Sequence, residues 1–205
     1  MILVVDDEEP IRDALAWLLR SRDLPCRCFA SGEEFLAFLD AGGADPASPA
    51  ALLLDVRMGR VSGMDLFEQL SAGNRVPCWP VIFLTGHGDV PMAVEALKQG
   101  AFDFVEKPFN DNSLADRLVA ALEESRRRLG EAREAARREE GLASLTARER
   151  EVLDLIVEGL YNKVIADRLG IAMRTVEVYR ARIFAKMGVK SAVELARMFG
   201  ERDEA

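Results

Sequence analysis

The chain of 205 residues reads as an α/β protein with a small helical domain behind it. The fold class expected is a doubly wound, five-stranded parallel sheet followed by a small all-α helix-turn-helix unit. Three observations predict this. Short apolar runs alternate with helix-patterned segments through residue 122. The runs lack hydrophobic–polar alternation, as strands covered on both faces do. After Gly141 the strand-like runs stop and only helix-spaced patterns remain.

The strand-like runs fall at about 1–5, 25–29, 51–54, 80–84 and 102–105. Between them, residues 10–20, 31–40, 63–71 and 89–99 place apolar residues at helical spacing. Leu15, Leu18 and Leu19 mark one inner face, and Phe35, Leu36 and Leu39 another. Ser31 followed by Glu34 is a capping-box pattern opening the second helix. Strands alternating with helices predict a parallel sheet with right-handed connections. From Ser113 a helical pattern runs through Leu114, Leu118, Val119 and Leu122 into a stretch built almost entirely of Glu, Arg and Ala, as far as Glu140. Four short helices follow. Thr146 and Glu149 open the first, and Asn162 caps the second, which Gly170 ends. The third spans about 173–187, and the fourth about 191–200 with Ser191 as its cap.

Charge divides the chain in the same places. Residues 1–122 carry a net charge of −9, residues 123–141 are balanced, and residues 142–205 carry +1. The expected domains are therefore 1–122, a charged helical linker over 123–141, and 142–205. An acidic first domain does not seek nucleic acid; the basic cluster in the last domain does. No apolar stretch approaches the roughly 20 residues of a membrane span, and no signal peptide is visible. Cys26, Cys28 and Cys78 form no CxxC pair, so reduced thiols in a cytoplasmic protein are expected.

Chemistry concentrates where the strands end. Asp55 ends the third apolar run, Asp6 and Asp7 the first, and Lys107 the last; Thr85 ends the fourth. Open α/β sheets carry their sites outside the carboxyl ends of the strands. Three carboxylates form a partial cage for a hard divalent cation such as Mg²⁺. A lysine offers a point charge, and a threonine a donor, to a phosphoryl oxygen. An aspartate can itself become the nucleophile and form an acyl phosphate. Each residue also has an ordinary reading: Asp6 and Asp7 as helix caps, Asp55 as a turn residue, Lys107 and Thr85 as surface and turn. Complementary groups at four strand ends outweigh those readings taken one by one.

These residues resemble the CheY-like receiver domain of two-component response regulators, a flavodoxin-like fold. The resemblance rests on Asp6-Asp7, on Leu53-Leu54-Asp55-Val56-Arg57-Met58, on Ser62-Gly63-Met64-Asp65, on Leu84-Thr85-Gly86-His87-Gly88 and on Glu106-Lys107-Pro108. It implies that Asp55 is the phosphoacceptor for a sensor histidine kinase. It implies that Asp7, Asp55 and the backbone carbonyl of Arg57 hold Mg²⁺, with Asp6 helping through water, and that Thr85 and Lys107 contact the phosphoryl oxygens. It also implies a cis Lys107–Pro108 bond and Phe104 as the switch aromatic. One departure is local: receivers of this type have a proline soon after the loop methionine, whereas here Gly59-Arg60-Val61 follows Met58.

Residues 174–190 carry Arg174, Arg180, Arg182, Lys186 and Lys190 against Glu177 alone. Val176, Ile183 and Met187 supply a core stripe, which leaves a basic face able to track phosphates and enter a major groove. The segments around Leu145–Glu149, Asn162–Ala166 and Thr175–Arg180 resemble the LuxR-type helix-turn-helix, and its combination with a receiver resembles the FixJ/NarL class. That resemblance implies Lys163, Arg174, Thr175, Arg180 and Lys186 as phosphate contacts, with Glu177, Val178 and Ala181 facing bases. Glu177 would accept from a cytosine amino group. Tyr179 stands where this family often has histidine.

The expected function is a transcription factor switched by phosphorylation of Asp55, not an enzyme. Its expected partners are a sensor histidine kinase, double-stranded DNA, RNA polymerase and a second copy of the phosphorylated chain. Phosphorylation would act through receiver dimerisation or by release of the DNA-binding domain. Rival readings fare worse. A phosphatase of the haloacid-dehalogenase type places Asp-x-Asp on the first strand, and a dinucleotide site needs GxGxxG there; neither occurs. A sensor of an organic ligand needs an apolar pocket rather than strand-end acids.

Overall fold

The chain is described from a computed structural model, which covers residues 1–76, 78–86 and 90–200. Five strands form one parallel sheet in the order β2-β1-β3-β4-β5: β1 (Ile2–Val5), β2 (Cys26–Phe29), β3 (Ala51–Asp55), β4 (Val81–Thr85) and β5 (Asp103–Glu106). Helices α1 (Glu9–Ser21), α2 (Gly32–Asp40), α3 (Gly63–Ala72) and α4 (Val90–Lys98) connect them. Each boundary lies within about two residues of the sequence expectation; the expected start of the fourth helix at Asp89, and His87-Gly88, lie outside the described residues.

The uniformly apolar strands are divided by side-chain period. Leu3, Val5, Leu52, Leu54, Val81 and Phe83 face one core with Phe35, Leu66, Phe67 and Leu70 of α2 and α3. Ile2, Val4, Ala51, Leu53, Ile82 and Leu84 face a second core with Leu15, Leu18 and Leu19 of α1. The helix after β5 closes that second core through Leu114, Leu118, Ala121 and Leu122. Both faces of the sheet are therefore dry, which is why these strands need no polar alternation. Trp79 is 3% exposed and keeps its indole N–H satisfied by donating to the Ser48 carbonyl at 2.9 Å.

Helix α5 runs unbroken over Asp111–Ser144. It is followed by α6 (Ala147–Val157), α7 (Asn162–Leu169), α8 (Met173–Met187) and α9 (Ala192–Gly200). The chain divides into two compact units, residues 1–130 and 131–205. The second unit has its own core of Val152, Leu153, Ile156, Ile165, Val176, Ile183 and Leu195.

Side-chain caps open α2, α3, α6 and α9. Ser62 with Asp65 and Thr146 with Glu149 form reciprocal capping boxes at α3 and α6. Ser31 and Ser191 accept from the backbone N–H three residues on. Their glutamates, however, reach one residue further back, to the N–H of Ala30 and of Lys190. Asn162 departs from expectation. It is the first helical residue of α7, whose cap position is Tyr161 and which has no side-chain cap. Gly170 and Gly188 end α7 and α8 in the left-handed conformation, φ +64° and +67°, which suits glycine.

Candidate phosphoryl site and nucleic-acid interface

Strand order reverses between β1 and β3, the switch point at which doubly wound sheets open a crevice. Asp6 follows the paired Val5–Leu54 step of the register, and Asp55 follows it on the neighbouring strand. Thr85 ends β4 opposite Glu106, so Lys107 sits one step beyond it on β5. Parallel pairing thus delivers all four groups to one edge, although 101 residues separate Lys107 from Asp6.

There Lys107 is central. Its Nζ lies 2.8 Å from Asp55 Oδ1, 2.9 Å from Asp6 Oδ2 and 3.6 Å from Glu8 Oε1. Asp6 is fully buried and Asp55 is 5% exposed. The other oxygen of each accepts a backbone N–H, Asp6 from Glu8 at 2.9 Å and Asp55 from Arg57 at 3.1 Å. Arg12 holds the Asp6 carbonyl at 2.8 Å. Burial pushes the Asp55 carboxyl above its ordinary pKa, the hydrogen bond and charge of Lys107 pull it back, and Asp6 and Asp7 raise it again. Burial alone would lower the Lys107 pKa, but its bonds to Asp55 and Asp6 outweigh that and hold the ammonium charged. Asp7 is exposed, and Thr85 is 3% exposed with its carbonyl accepting from the Lys107 N–H at 2.7 Å. Phe104 packs, half-buried, against the core on the α2–α3 side. The Lys107–Pro108 bond is cis.

The donor set at this edge is all oxygen, two of its carboxylates lie on adjacent strand ends, and their mutual repulsion is what a cation relieves, so the residues fit a hard divalent ion such as Mg²⁺. Among the described residues no three His, Cys, Asp or Glu side chains converge as a ready cage. Asp6 and Asp55 both pair with the Lys107 ammonium.

Sequence reasoning overlooked three neighbours. Glu8, the cap position of α1, and Arg12, within that helix, bond to this cluster. Gly63, quoted only as part of a motif, packs on the end of β3: a Cβ there would lie 2.1 Å from the Asp55 carbonyl oxygen. Only the three-dimensional approach of α3 to β3 reveals that need. The Cys28 thiol lies beside this cluster and donates to the Arg12 carbonyl at 4.0 Å. Burial, helped by Cys26, pushes Cys28 up to about 11, and all three cysteines are free.

In the second unit, α7, the Gly170 turn and α8 form the helix-turn-helix. Val176, Ile183 and Met187 are buried, while Arg174, Glu177, Val178, Ala181 and Arg182 are exposed. Lys163 is exposed on α7; Thr175 is half-buried, and Arg180 is half-buried with its guanidinium 5.2 Å from the Phe184 ring centre. Tyr161, 83% exposed, and Met173, 53% exposed, flank this face and had no role in the sequence reading. Lys186 departs from it. Its ammonium donates to Glu149 Oε2 at 2.7 Å and to the Ser144 carbonyl at 2.9 Å, tying α8 to the start of α6. So engaged, its side chain staples α8 to α6 while staying partly exposed.

Comparison with known proteins agrees with both halves. Residues 2–119 match the response regulator receiver domain, and residues 143–199 match the bacterial regulatory proteins of the luxR family. The chain is 52% identical to the C4-dicarboxylate transport transcriptional regulatory protein DctR of Rhodobacter capsulatus, over 95% of this chain and 96% of that one. It is 47% identical to the transcriptional regulatory protein FixJ of Azorhizobium caulinodans, over 95% and 89%. Among solved structures, the response regulator StyR is similar with a TM-score of 0.82 at 38% identity, covering 98% of each chain. Full-length FixJ from B. japonicum matches with a TM-score of 0.58 at 38% identity, over 96% of this chain and 94% of that one. The chain therefore belongs to the transcriptional response regulators that join a receiver domain to a LuxR-type DNA-binding domain.

Proposed function

We propose that Asp55 accepts a phosphoryl group from a sensor histidine kinase and that this event switches DNA binding by the second domain. The observation that carries the reading is the buried Asp55 carboxylate, 2.8 Å from the Lys107 ammonium at the carboxyl edge of the sheet. An Asp55 oxygen attacks phosphorus, the bond to the donor breaks, and the donor leaves with its electron pair. Lys107 then moves its charge from the Asp55 carboxylate to a phosphoryl oxygen, and the Thr85 hydroxyl donates to another. Asp7, Asp55 and the Arg57 carbonyl would hold Mg²⁺, with Asp6 assisting through water. Bound there, the ion supplies charge neutralisation between carboxylates and the incoming anion.

Drawing Thr85 toward the phosphoryl group frees space on β4, into which Phe104 turns, altering the surface of α4 and β5. Two phosphorylated chains then pair, or the DNA-binding domain is released. The proposed domains remain 1–122 and 142–205, with the charged helix 123–141 between them. On DNA, Lys163, Arg174, Thr175 and Arg180 serve phosphates, while Glu177, Val178 and Ala181 face bases. RNA polymerase is the expected downstream partner, and the cytoplasm the expected location; among the described residues no helix is long and apolar enough to cross a membrane.

Selection of binding sequences from random duplexes, with and without acetyl phosphate, tests the switch. The phosphorylated chain is expected to enrich two half-sites about one helical turn apart. Equal enrichment by the untreated chain and by Asp55→Asn treated with the phosphodonor would contradict it.

A further inference from the structure

Of the three carboxylates proposed to serve Mg²⁺, two are held by partners of their own. Asp55 pairs with Lys107 and accepts the Arg57 N–H; Asp6 pairs with Lys107 and accepts the Glu8 N–H. Asp7 differs. It is exposed, and among the described residues its carboxylate has no hydrogen bond or ion pair. Its direction is therefore set by the backbone that carries it.

That backbone is anchored from α1. The register of β1 with both neighbouring strands ends at Val5. One step further, the Asp6 N–H still donates to the Phe29 carbonyl at 3.2 Å, but the Asp6 carbonyl accepts from Arg12 Nη1 at 2.8 Å. This carbonyl shares one rigid plane with the N–H and Cα of Asp7, so holding its oxygen fixes where Asp7 leaves the chain. Arg12 is itself well placed to hold it. Its helix is fixed by the buried Leu15, Leu18 and Leu19, its carbonyl accepts from the Cys28 thiol, and its side chain is half-buried. Because the guanidinium bonds to a neutral carbonyl, it occupies no carboxylate oxygen that a cation needs.

We propose that Arg12 is a positioning residue for the metal site, aiming the Asp7 carboxylate by holding the Asp6–Asp7 peptide. The proposal rests on the reading of Asp7 and Asp55 as Mg²⁺ ligands. Its sign separates it from a simple charge effect. A guanidinium repels a nearby divalent cation, so if Arg12 acted through charge alone, removing it would tighten Mg²⁺ binding. Removing a group that orients a ligand does the reverse, typically by about 10–100-fold.

The test is Mg²⁺ titration of the full-length ¹⁵N-labelled chain, read at the amides of Glu8 and Arg57, which donate to Asp6 and Asp55. The wild type is expected to shift saturably, and Arg12→Met to bind about ten-fold more weakly. Arg12→Lys keeps the charge but loses the planar donor fork, and should fall between them. Arg20→Met controls for net charge and should match the wild type, since Arg20 is exposed on the same helix with Nε donating to the Ala16 carbonyl. Urea unfolding of the same variants is the second readout: a merely structural Arg12 would lower the midpoint and leave the affinity of the folded chain unchanged. Unchanged or tighter Mg²⁺ binding in folded Arg12→Met would overturn the proposal. Should that variant not fold, wild-type affinity in Arg12→Lys would overturn it. No saturable shift in the wild type would remove the metal reading, and the proposal with it.

Discussion

Alanine at position 63 drives a Cβ to 2.1 Å from the Asp55 carbonyl oxygen and 3.0 Å from its carbonyl carbon. An ordinary carbon–oxygen contact is roughly 3.3–3.6 Å, so α3 and the end of β3 must part by more than about 1 Å. Neither partner is the tip of a flexible side chain; the contact is with backbone. Overpacking of this kind costs about 1–3 kcal/mol, which for a domain of this size lowers Tm by about 3–10 °C. The same shift moves the proposed acceptor, and a misplacement of about 1 Å can slow a reaction about 100-fold. Thermal unfolding and the rate of adduct formation with acetyl phosphate, measured well below Tm, read the two effects separately. Gly59→Ala is the control, because a Cβ there meets nothing within 4 Å. An unchanged Tm and rate in Gly63→Ala would refute the packing argument.

Three further perturbations probe other parts of the account. Lys107→Met strands the fully buried Asp6 beside Asp55, and loss of one partner of a buried pair costs about 3–5 kcal/mol. The lower end is expected, since Asp6 keeps the Glu8 N–H; in urea unfolding the variant should regain stability as pH falls through the carboxylate range and its acids protonate. Glu149, held at about 2 against an ordinary 4.5 mainly by the Lys186 hydrogen bond, contributes stability above the unfolded value that is lost as pH falls toward the folded one. Glu149→Gln should flatten the acid limb of the second unit's melting profile, and an unaltered limb would contradict the staple. Ile183→Ala empties a fully buried core position and should cost about 2–5 kcal/mol, read as loss of DNA binding that cooling restores.

Much of this structure was legible in the chain because its signals are local. The five apolar runs mark strands whichever face they bury, and the Ser and Thr caps act over three residues. The strand-end positions of Asp6, Asp55, Thr85 and Lys107 put them at one edge once the sheet is parallel. What escaped depends on long-range approach. The bond of Lys186 to Glu149 spans 37 residues, so a lysine on a basic helix gave no sign of that partner. Gly63 looks like an ordinary first helical residue until α3 is laid against Asp55. Asn162 has cap chemistry, yet the helix starts on it because Tyr161 takes the extended cap conformation.

The most direct test is intact-mass measurement after incubation with Mg²⁺ and acetyl phosphate, alongside Asp55→Asn and, in parallel, with a phosphorylated sensor kinase as donor. A single phosphoryl adduct on the wild type, absent from the folded variant, is the predicted result. An adduct that persists in Asp55→Asn, or none on the wild type with either donor, would contradict Asp55 as the acceptor.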